Sequence, residues 1–275
     1  MFNENNLVLQ AKMTNSYSRT EYNGVLSYEK VKQFHKDGYL GPLKACSPDE
    51  AAEFAESVEV EILNGDGYPL DHTDKSIRHD RHRDSQLVYD FLSQPSIVNR
   101  IQSLYGPDLL LWTSHFWEKE PGESGVPWHQ EQHFSAVEPP VTATIDLALD
   151  PVDETSGCME VIPGSHEQFV PHGEAAGAES QGLADSEYVD QSCARSIPLK
   201  AGEFVLYNSR LLHRTLANGT DRERRSVSCR MTPPIINIQH ESPLMYDDHA
   251  SIVVSGEDRY GINRTVEPPS SEVKE

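Results

Sequence analysis

Apolar positions along the chain change period near residue 109, from helical spacing before it to strand alternation after it. Ser27 can N-cap a helix, with Leu26 and Val31 placed for a hydrophobic staple and Gly38 to end it. Ser47-Pro48-Asp49-Glu50 opens a second helix: Ser47 caps, Pro48 takes the first helical position and Glu50 completes a capping box. A shorter helix spans about Pro95 to Leu104, with Ile97, Ile101 and Leu104 on one face and Gly106 behind it. From Leu109 the elements are strands. Leu109–Lys119 is aromatic and aliphatic and ends in a Pro121-Gly122 turn. In Val141–Leu149 the odd positions Val141, Ala143, Ile145, Leu147 and Leu149 face one way, and Thr142, Thr144 and Asp146 the other. Cys158–Ile162, Glu203–Tyr207 and Ser226–Met231 are further short strands, so the chain reads as a sandwich or barrel with helices in front of it. Residues 1–24 are polar without period and read as a flexible arm; the tail from Pro268 reads as frayed. Gly173–Asp190, rich in Ala, Gly, Ser and acid, reads as a long loop of the kind that forms lids.

Composition narrows the partners. A length of 275 residues suits one decorated domain, and 23 Lys+Arg against 44 Asp+Glu leave a net charge of −21. A field of that sign repels nucleic acid and anionic membranes, so a small-molecule substrate is expected and neither of those partners is. The four cysteines are widely separated, as for reduced thiols. The first residues lack a basic and apolar leader, no apolar run is long enough for a membrane span, and Val273-Lys274-Glu275 is not a peroxisomal address. A cytoplasmic location is the resulting expectation. The sequence says nothing of oligomeric state.

Candidate chemistry starts at Trp128-His129-Gln130-Glu131. In a strand, residues i and i+2 share a face, so H-x-E sets an imidazole beside a carboxylate. His213 follows 84 residues after His129, behind the strand Glu203–Tyr207. Two histidines and one carboxylate on one face of an octahedral metal leave three positions for a chelating cosubstrate and O₂, which suits Fe(II). H-x-E alone is not specific; a solvated His and Glu at a strand end give the same pattern. Past His213, Asn218-Gly219 is a turn signal that makes the flanking segments antiparallel neighbours and returns Arg224 or Arg225 beside His213. A guanidinium there matches the distal carboxylate of 2-oxoglutarate, and Thr215, on the His213 face, can donate a hydroxyl to it.

Taken together, these motifs resemble the phytanoyl-CoA dioxygenase (PhyH) family of Fe(II)/2-oxoglutarate-dependent oxygenases, over roughly Leu26 to Gly261. The resemblance is carried by Phe34-x-x-x-Gly38-Tyr39, Tyr105-Gly106-Pro107-Asp108, Lys119-Glu120-Pro121-Gly122, Trp128-His129-Gln130-Glu131, Gly157-Cys158, Pro163-Gly164-Ser165-His166, Ala201-Gly202-Glu203 and His213…Asn218…Arg224. It implies a mainly β fold with flanking α-helices, a double-stranded β-helix (a cupin-like jelly roll). One domain at 25–267 would then hold a helical part at about 25–106 and the jelly-roll core at about 107–236, with 268–275 as the tail. It implies iron on His129, Glu131 and His213, and cosubstrates 2-oxoglutarate and O₂. The family's cosubstrate arginine lies eleven residues past the distal histidine, which selects Arg224 over Arg225. Thr215 matches an assisting hydroxyl and Lys119 a lysine that binds cosubstrate in some relatives. The implied activity is oxidation, by default hydroxylation, of an unactivated C–H with release of succinate and CO₂. The acidic charge and the absent peroxisomal address favour a small soluble metabolite, such as an amine, over an acyl-CoA as its substrate.

Two residues depart from the family pattern. Glu131 stands where Asp is usual; a carboxylate there argues against halogenation. Asp146 stands where many relatives carry an aromatic residue, and it either holds a substrate ammonium or is bonded to Thr144 or a neighbouring lysine. His115 and Trp117 share a strand face and are pocket candidates, with core packing the plainer role for the tryptophan. Arg78–Asp84 reads as a mixed-charge surface loop rather than the pocket mouth. His133 lies past reach of a shared metal. Three alternatives stay open: the same chemistry ending in desaturation, cyclisation or demethylation; a non-catalytic cupin-like metal- or ligand-binding protein; and a zinc hydrolase on the same ligands, which leaves Arg224 unexplained.

Overall fold

The computed structural model describes residues 24–63, 78–174, 181–242, 244–245 and 248–270. Most of the arm, part of the 173–190 segment and the end of the tail lie outside the described residues.

Helix α1 (Tyr28–Asp37) is capped by the Ser27 hydroxyl, which accepts from the N–H of Lys30, and it ends at Gly38 with φ 81°. A side chain at Gly38 would meet the ring of His166 2.5 Å from its Cβ, so both the backbone and the packing require glycine. Strand β1 (Tyr39–Lys44) leads into α2 (Pro48–Val58), whose capping box forms as its sequence predicts. Helices α3 (Gln86–Leu92) and α4 (Pro95–Tyr105) follow. Phe54 of α2 stacks on Phe91 of α3 with ring centroids 3.6 Å apart.

The remaining strands are β2 (Leu109–Lys119), β3 (Val137–Glu138), β4 (Ala143–Ala148), β5 (Met159–Val161), β6 (His172–Glu174), β7 (Gln181–Ala184), β8 (Arg195–Ile197), β9 (Glu203–Asn208), β10 (His213–Thr215), β11 (Arg224–Thr232), β12 (Asn237–Ile238) and β13 (Ile252–Ser255). The large sheet runs β1-β9-β4-β11-β2-β13, all antiparallel, and a smaller sheet runs β10-β5-β8. The two sheets form the expected jelly roll.

Strand alternation decides what each face of the large sheet meets. Ile145, Leu147, Phe204, Leu206, Val227, Cys229 and Met231 pack with the helices. Ala148, Val205 and Tyr207 face the smaller sheet and pack with Met159, Val161 and Ile197. Along β11 the positions between the helix-facing residues are Arg224, Ser226, Ser228 and Arg230, a polar row turned into the sandwich.

Three expectations are corrected here. First, Asn218-Gly219 does not join a hairpin: β10 pairs with β5, and β11 with β2 and β4. Neither residue takes the positive φ that a two-residue hairpin turn needs. Asn218 instead ties the loop down, its amide donating to the carbonyls of Lys119 and Arg222. Second, Arg78–Asp84 is no solvated loop. Asp80, Arg81 and His82 are buried, because Asp80 accepts from the N–H of Ser114, His82 bonds the Ser114 hydroxyl and Arg81 pairs with Asp84. Third, the 173–190 segment is not loop throughout. Its described residues include the antiparallel pair β6 and β7, and the Ala184 N–H donates to the Trp128 carbonyl beside the histidine motif.

Candidate active site

Main-chain pairing brings the two histidines together. His129 and His213 form an isolated antiparallel bridge, each N–H donating to the other's carbonyl at 3.0 and 3.1 Å. Nδ1 of His129 lies 2.8 Å from the Pro127 carbonyl, and Nδ1 of His213 lies 2.9 Å from that of Leu211. A carbonyl only accepts, so each Nδ1 carries the proton and each Nε2 presents a lone pair. Oε1 of Glu131 stands 3.5 Å from Nε2 of His129 and 3.4 Å from Nε2 of His213. Three acceptors thus face one another, their ligand atoms within 4.8 Å, and this is the metal-competent trio found among the described residues. Converging lone pairs with no donor between them fit a cation.

Glu131 reaches that point by a route other than the expected one. It opens a 3₁₀ turn, Glu131–Phe134, rather than continuing a strand. Gln130, between His129 and Glu131, is fully buried. Its amide donates to the Gln168 and Arg210 carbonyls and its oxygen accepts from the Val170 N–H. That anchor lets the next residue turn inward; an amide set between two ligand types was its signal in the sequence. Burial disfavours charge on Glu131, but Arg230 and both histidines hold its carboxyl well below the usual range. Oε2 of Glu131 is paired with Nη2 of Arg230. Arg230 went unread in the sequence, although its spacing of six from Arg224 puts both on one strand face. His133 is not part of the trio; it stacks on His172, with ring centroids 4.5 Å apart.

A cavity of about 140 Å³ joins these residues to Arg224, Thr215, Lys119, Asp146 and Trp117. Arg224 is 6% exposed. Its guanidinium donates to the Ser226 hydroxyl at 3.2 Å and the Gly157 carbonyl at 3.0 Å, while its buried Nε has no partner. It makes no ion pair among the described residues. Arg225, one residue on, faces the other way and is held by both oxygens of Asp150, at 2.9 and 3.0 Å. Thr215 Oγ1 accepts from Lys119 Nζ at 2.8 Å and from the Val126 N–H at 3.1 Å, which leaves its own proton to donate. Burial, and then the charge of Arg224, lower the Lys119 ammonium to about 8.

Asp146 is bonded to Ser226, not to Thr144 or a lysine. Burial raises its carboxyl, against the pull of the nearby Arg224 and the Ser226 hydroxyl. Its Oδ1 has no partner. Trp117 is 43% exposed and lines the cavity, with its indole N–H on Ser228 at 2.9 Å, so it is not a core residue. His115 sits behind it, 2.8 Å from His79 through the Nδ1 atoms and outside the cavity lining. Burial, with the charges of its neighbours, lowers the His115 ring to about 2.

A jelly roll with two imidazoles and one carboxylate lining an inner cavity fits the class of mononuclear non-haem metal oxygenases. The sequence profile of the phytanoyl-CoA dioxygenase (PhyH) family matches residues 34–226, and the chain belongs to that family. Dioxygenase lolE1 of Epichloe uncinata is 25% identical over 138 residues, which span 50% of this chain and 52% of that protein. Ectoine dioxygenase of Nocardia farcinica is 26% identical over 235 residues, 74% of this chain and 77% of that one. The solved structure of CytC3 with Fe(II) and alpha-ketoglutarate superimposes with a TM-score of 0.68 at 25% identity, covering 89% of this chain and 94% of the other. The protein is accordingly a 2-oxoglutarate-dependent non-haem iron dioxygenase, with Fe(II), 2-oxoglutarate and O₂ as its metal and cosubstrates. No described helix is long and apolar enough to cross a membrane.

Proposed function

We propose that His129, Glu131 and His213 hold the ferrous ion, that Arg224 with Thr215 and Lys119 binds the far carboxylate of 2-oxoglutarate, and that the enzyme hydroxylates an unactivated C–H of a small metabolite. One observation carries the reading: a buried arginine that makes no direct ion pair among the described residues shares a small cavity with three converging acceptors. A buried guanidinium without a directly bonded carboxylate is costly, and the far carboxylate of a dicarboxylic keto acid would supply one.

The bound iron supplies oxygen activation. The residues supply the rest. The Nδ1–H bonds to Pro127 and Leu211 fix both rings with Nε2 inward. Ser226 and the Gly157 carbonyl hold the guanidinium in the cavity. Thr215, steadied by Lys119 and Val126, directs its proton to the same carboxylate. Trp117, Met159 and Tyr207 line the remaining wall and exclude water from the reacting carbon.

Ectoine dioxygenase is a relative of this chain, and an amine-bearing small metabolite is carried as the substrate type to test first. Asp146 is the candidate contact, since its Oδ1 is unpaired. The test is anaerobic loading with Fe(II) and 2-oxoglutarate, then a metabolite screen for substrate-triggered succinate release with product mass. A product heavier by one oxygen supports hydroxylation; loss of two hydrogens replaces it by desaturation or ring closure. No Fe(II) binding at all would remove the ligand assignment.

A further inference from the structure

The two oxygens of the Glu131 carboxylate have different neighbours. Oε1 faces the imidazole nitrogens at 3.4 and 3.5 Å, and Oε2 is taken by Arg230. Both side chains are largely withdrawn from solvent, 17% exposed for Arg230 and 13% for Glu131. Arg230 is itself held in place, its guanidinium carbon 5.9 Å over the Trp112 ring. The pairing of β11 with β2 slips at this point: Arg230 lies opposite Thr113 and Met231 opposite Leu111, which makes Trp112 an extra residue. A bulge of this kind re-aims the local side chains. The extra residue is anchored at both ends, by its indole N–H on Thr142 at 3.1 Å and by its carbonyl, 2.6 Å from Nε2 of His249.

We propose that Arg230 is a positioning residue that keeps Glu131 a one-oxygen ligand and thereby compensates for the extra methylene that glutamate has over aspartate. The proposal rests on His129, Glu131 and His213 being the ligands. A glutamate side chain has one more rotatable bond than an aspartate, so it can turn away or offer both oxygens to a metal. Two histidines and one carboxylate oxygen leave three of six octahedral positions open. A carboxylate bound through both oxygens leaves two, the number a chelating keto acid occupies. A charge-assisted hydrogen bond on Oε2 withdraws that oxygen from the metal and fixes the aim of the other.

Positioning and plain electrostatics predict opposite signs. A fixed positive charge beside a metal site weakens metal binding, so if Arg230 acted only through its charge, its removal would tighten the site. If it positions Glu131, its removal lets the carboxylate swing off the metal and loosens the site, on the scale of roughly 10–100-fold found for partners behind metal ligands. Any carboxylate that instead takes a second metal position weakens the charge-transfer band. The experiment measures Mn(II) and anaerobic Fe(II) affinity by equilibrium dialysis, with the visible charge-transfer band of the Fe(II)–2-oxoglutarate complex as a second readout. Affinity is expected to fall in the order wild type, Arg230→Lys, Arg230→Met, because lysine keeps the charge and one donor but not the planar fork. Wild-type affinity in either variant overturns the proposal; if the Met variant does not fold, the Lys variant decides by the same criterion. A Glu131→Asp background sharpens the test. The shorter arm no longer reaches Arg230, so Arg230→Met should then cost little, and a full further loss also overturns the idea. Wild-type protein that binds neither metal would sink the ligand assignment itself, whereas equal binding by wild type and variants removes only the role of Arg230.

Discussion

Two histidine pairs in this molecule are built from similar parts and left in opposite states. In the first, His129 and His213 each spend Nδ1 on a backbone carbonyl and leave Nε2 uncovered, facing Glu131. In the second, His240 and His249 form a closed chain. The Arg264 N–H donates to Nε2 of His240, Nδ1 of His240 meets Nδ1 of His249 at 2.8 Å, and Nε2 of His249 meets the Trp112 carbonyl. Backbone groups at both ends assign the tautomers, so every ring nitrogen of the second pair has a partner. The first pair is free to ligate and the second fastens the C-terminal segment onto the β2 bulge. What separates a metal centre from a structural clamp is whether lone pairs are left over, and a carboxylate to share them with.

The comparison can be broken most directly at the ligands. His213→Ala should abolish Fe(II) binding and 2-oxoglutarate turnover, a loss beyond the roughly 100-fold upper range for outer partners. His249→Ala should act chiefly on stability, lowering it by about 1–3 kcal/mol since the buried Trp112 carbonyl loses its donor, with metal affinity reduced far less than in His213→Ala. Dialysis and thermal melts on both variants check the pair, and a loss of Fe(II) affinity in His249→Ala equal to that in His213→Ala would erase the distinction.

The neighbouring arginines sharpen it next. Arg224→Met should raise the KM for 2-oxoglutarate by roughly 10–100-fold, the equivalent of one or two charge-assisted hydrogen bonds. Arg225→Met should leave that KM alone and cost up to about 1 kcal/mol of stability, because its partners Asp150 and Glu59 are partly solvated. Steady-state kinetics that find the effects reversed would move the cosubstrate site to the outer face of β11.

The smallest effect is pH dependence of the clamp side. Burial lowers the His82 and His240 rings to about 4, from an ordinary value near 6.5. The unfolded chain therefore takes up these protons first on acidification, and stability present above the unfolded value is lost as pH falls from about 6.5 toward 4. Melts of the metal-free protein should fall across that window, and His240→Gln should flatten the slope; a melting temperature that is level there contradicts the buried neutral state.

Much of this was legible in the chain. Ser27, Ser47, Glu50 and Gly38 fixed three helix ends, because caps are local chemistry between residues three or four apart. Alternation in Val141–Leu149 and Ser226–Met231 gave the apolar face that meets the helices. The candidate ligands and Arg224 were named from spacing and resemblance. What failed was nonlocal. A His/Arg-rich stretch reads as solvated until β2 supplies Ser114 to bond it. Asn218-Gly219 reads as a hairpin until the two sheets claim its flanks separately.

The sequence by itself determined the local elements, the polar row on β11 and the set of side chains able to ligate, since these follow from period and side-chain chemistry. Only the tertiary structure decided which lone pairs stay uncovered: that Glu131 arrives on a turn rather than a strand, that Arg225 is spent on Asp150 while Arg224 is not, and that Arg230 takes the second oxygen of Glu131. Pairing of this kind depends on partners many tens of residues away, and no local pattern encodes who arrives first.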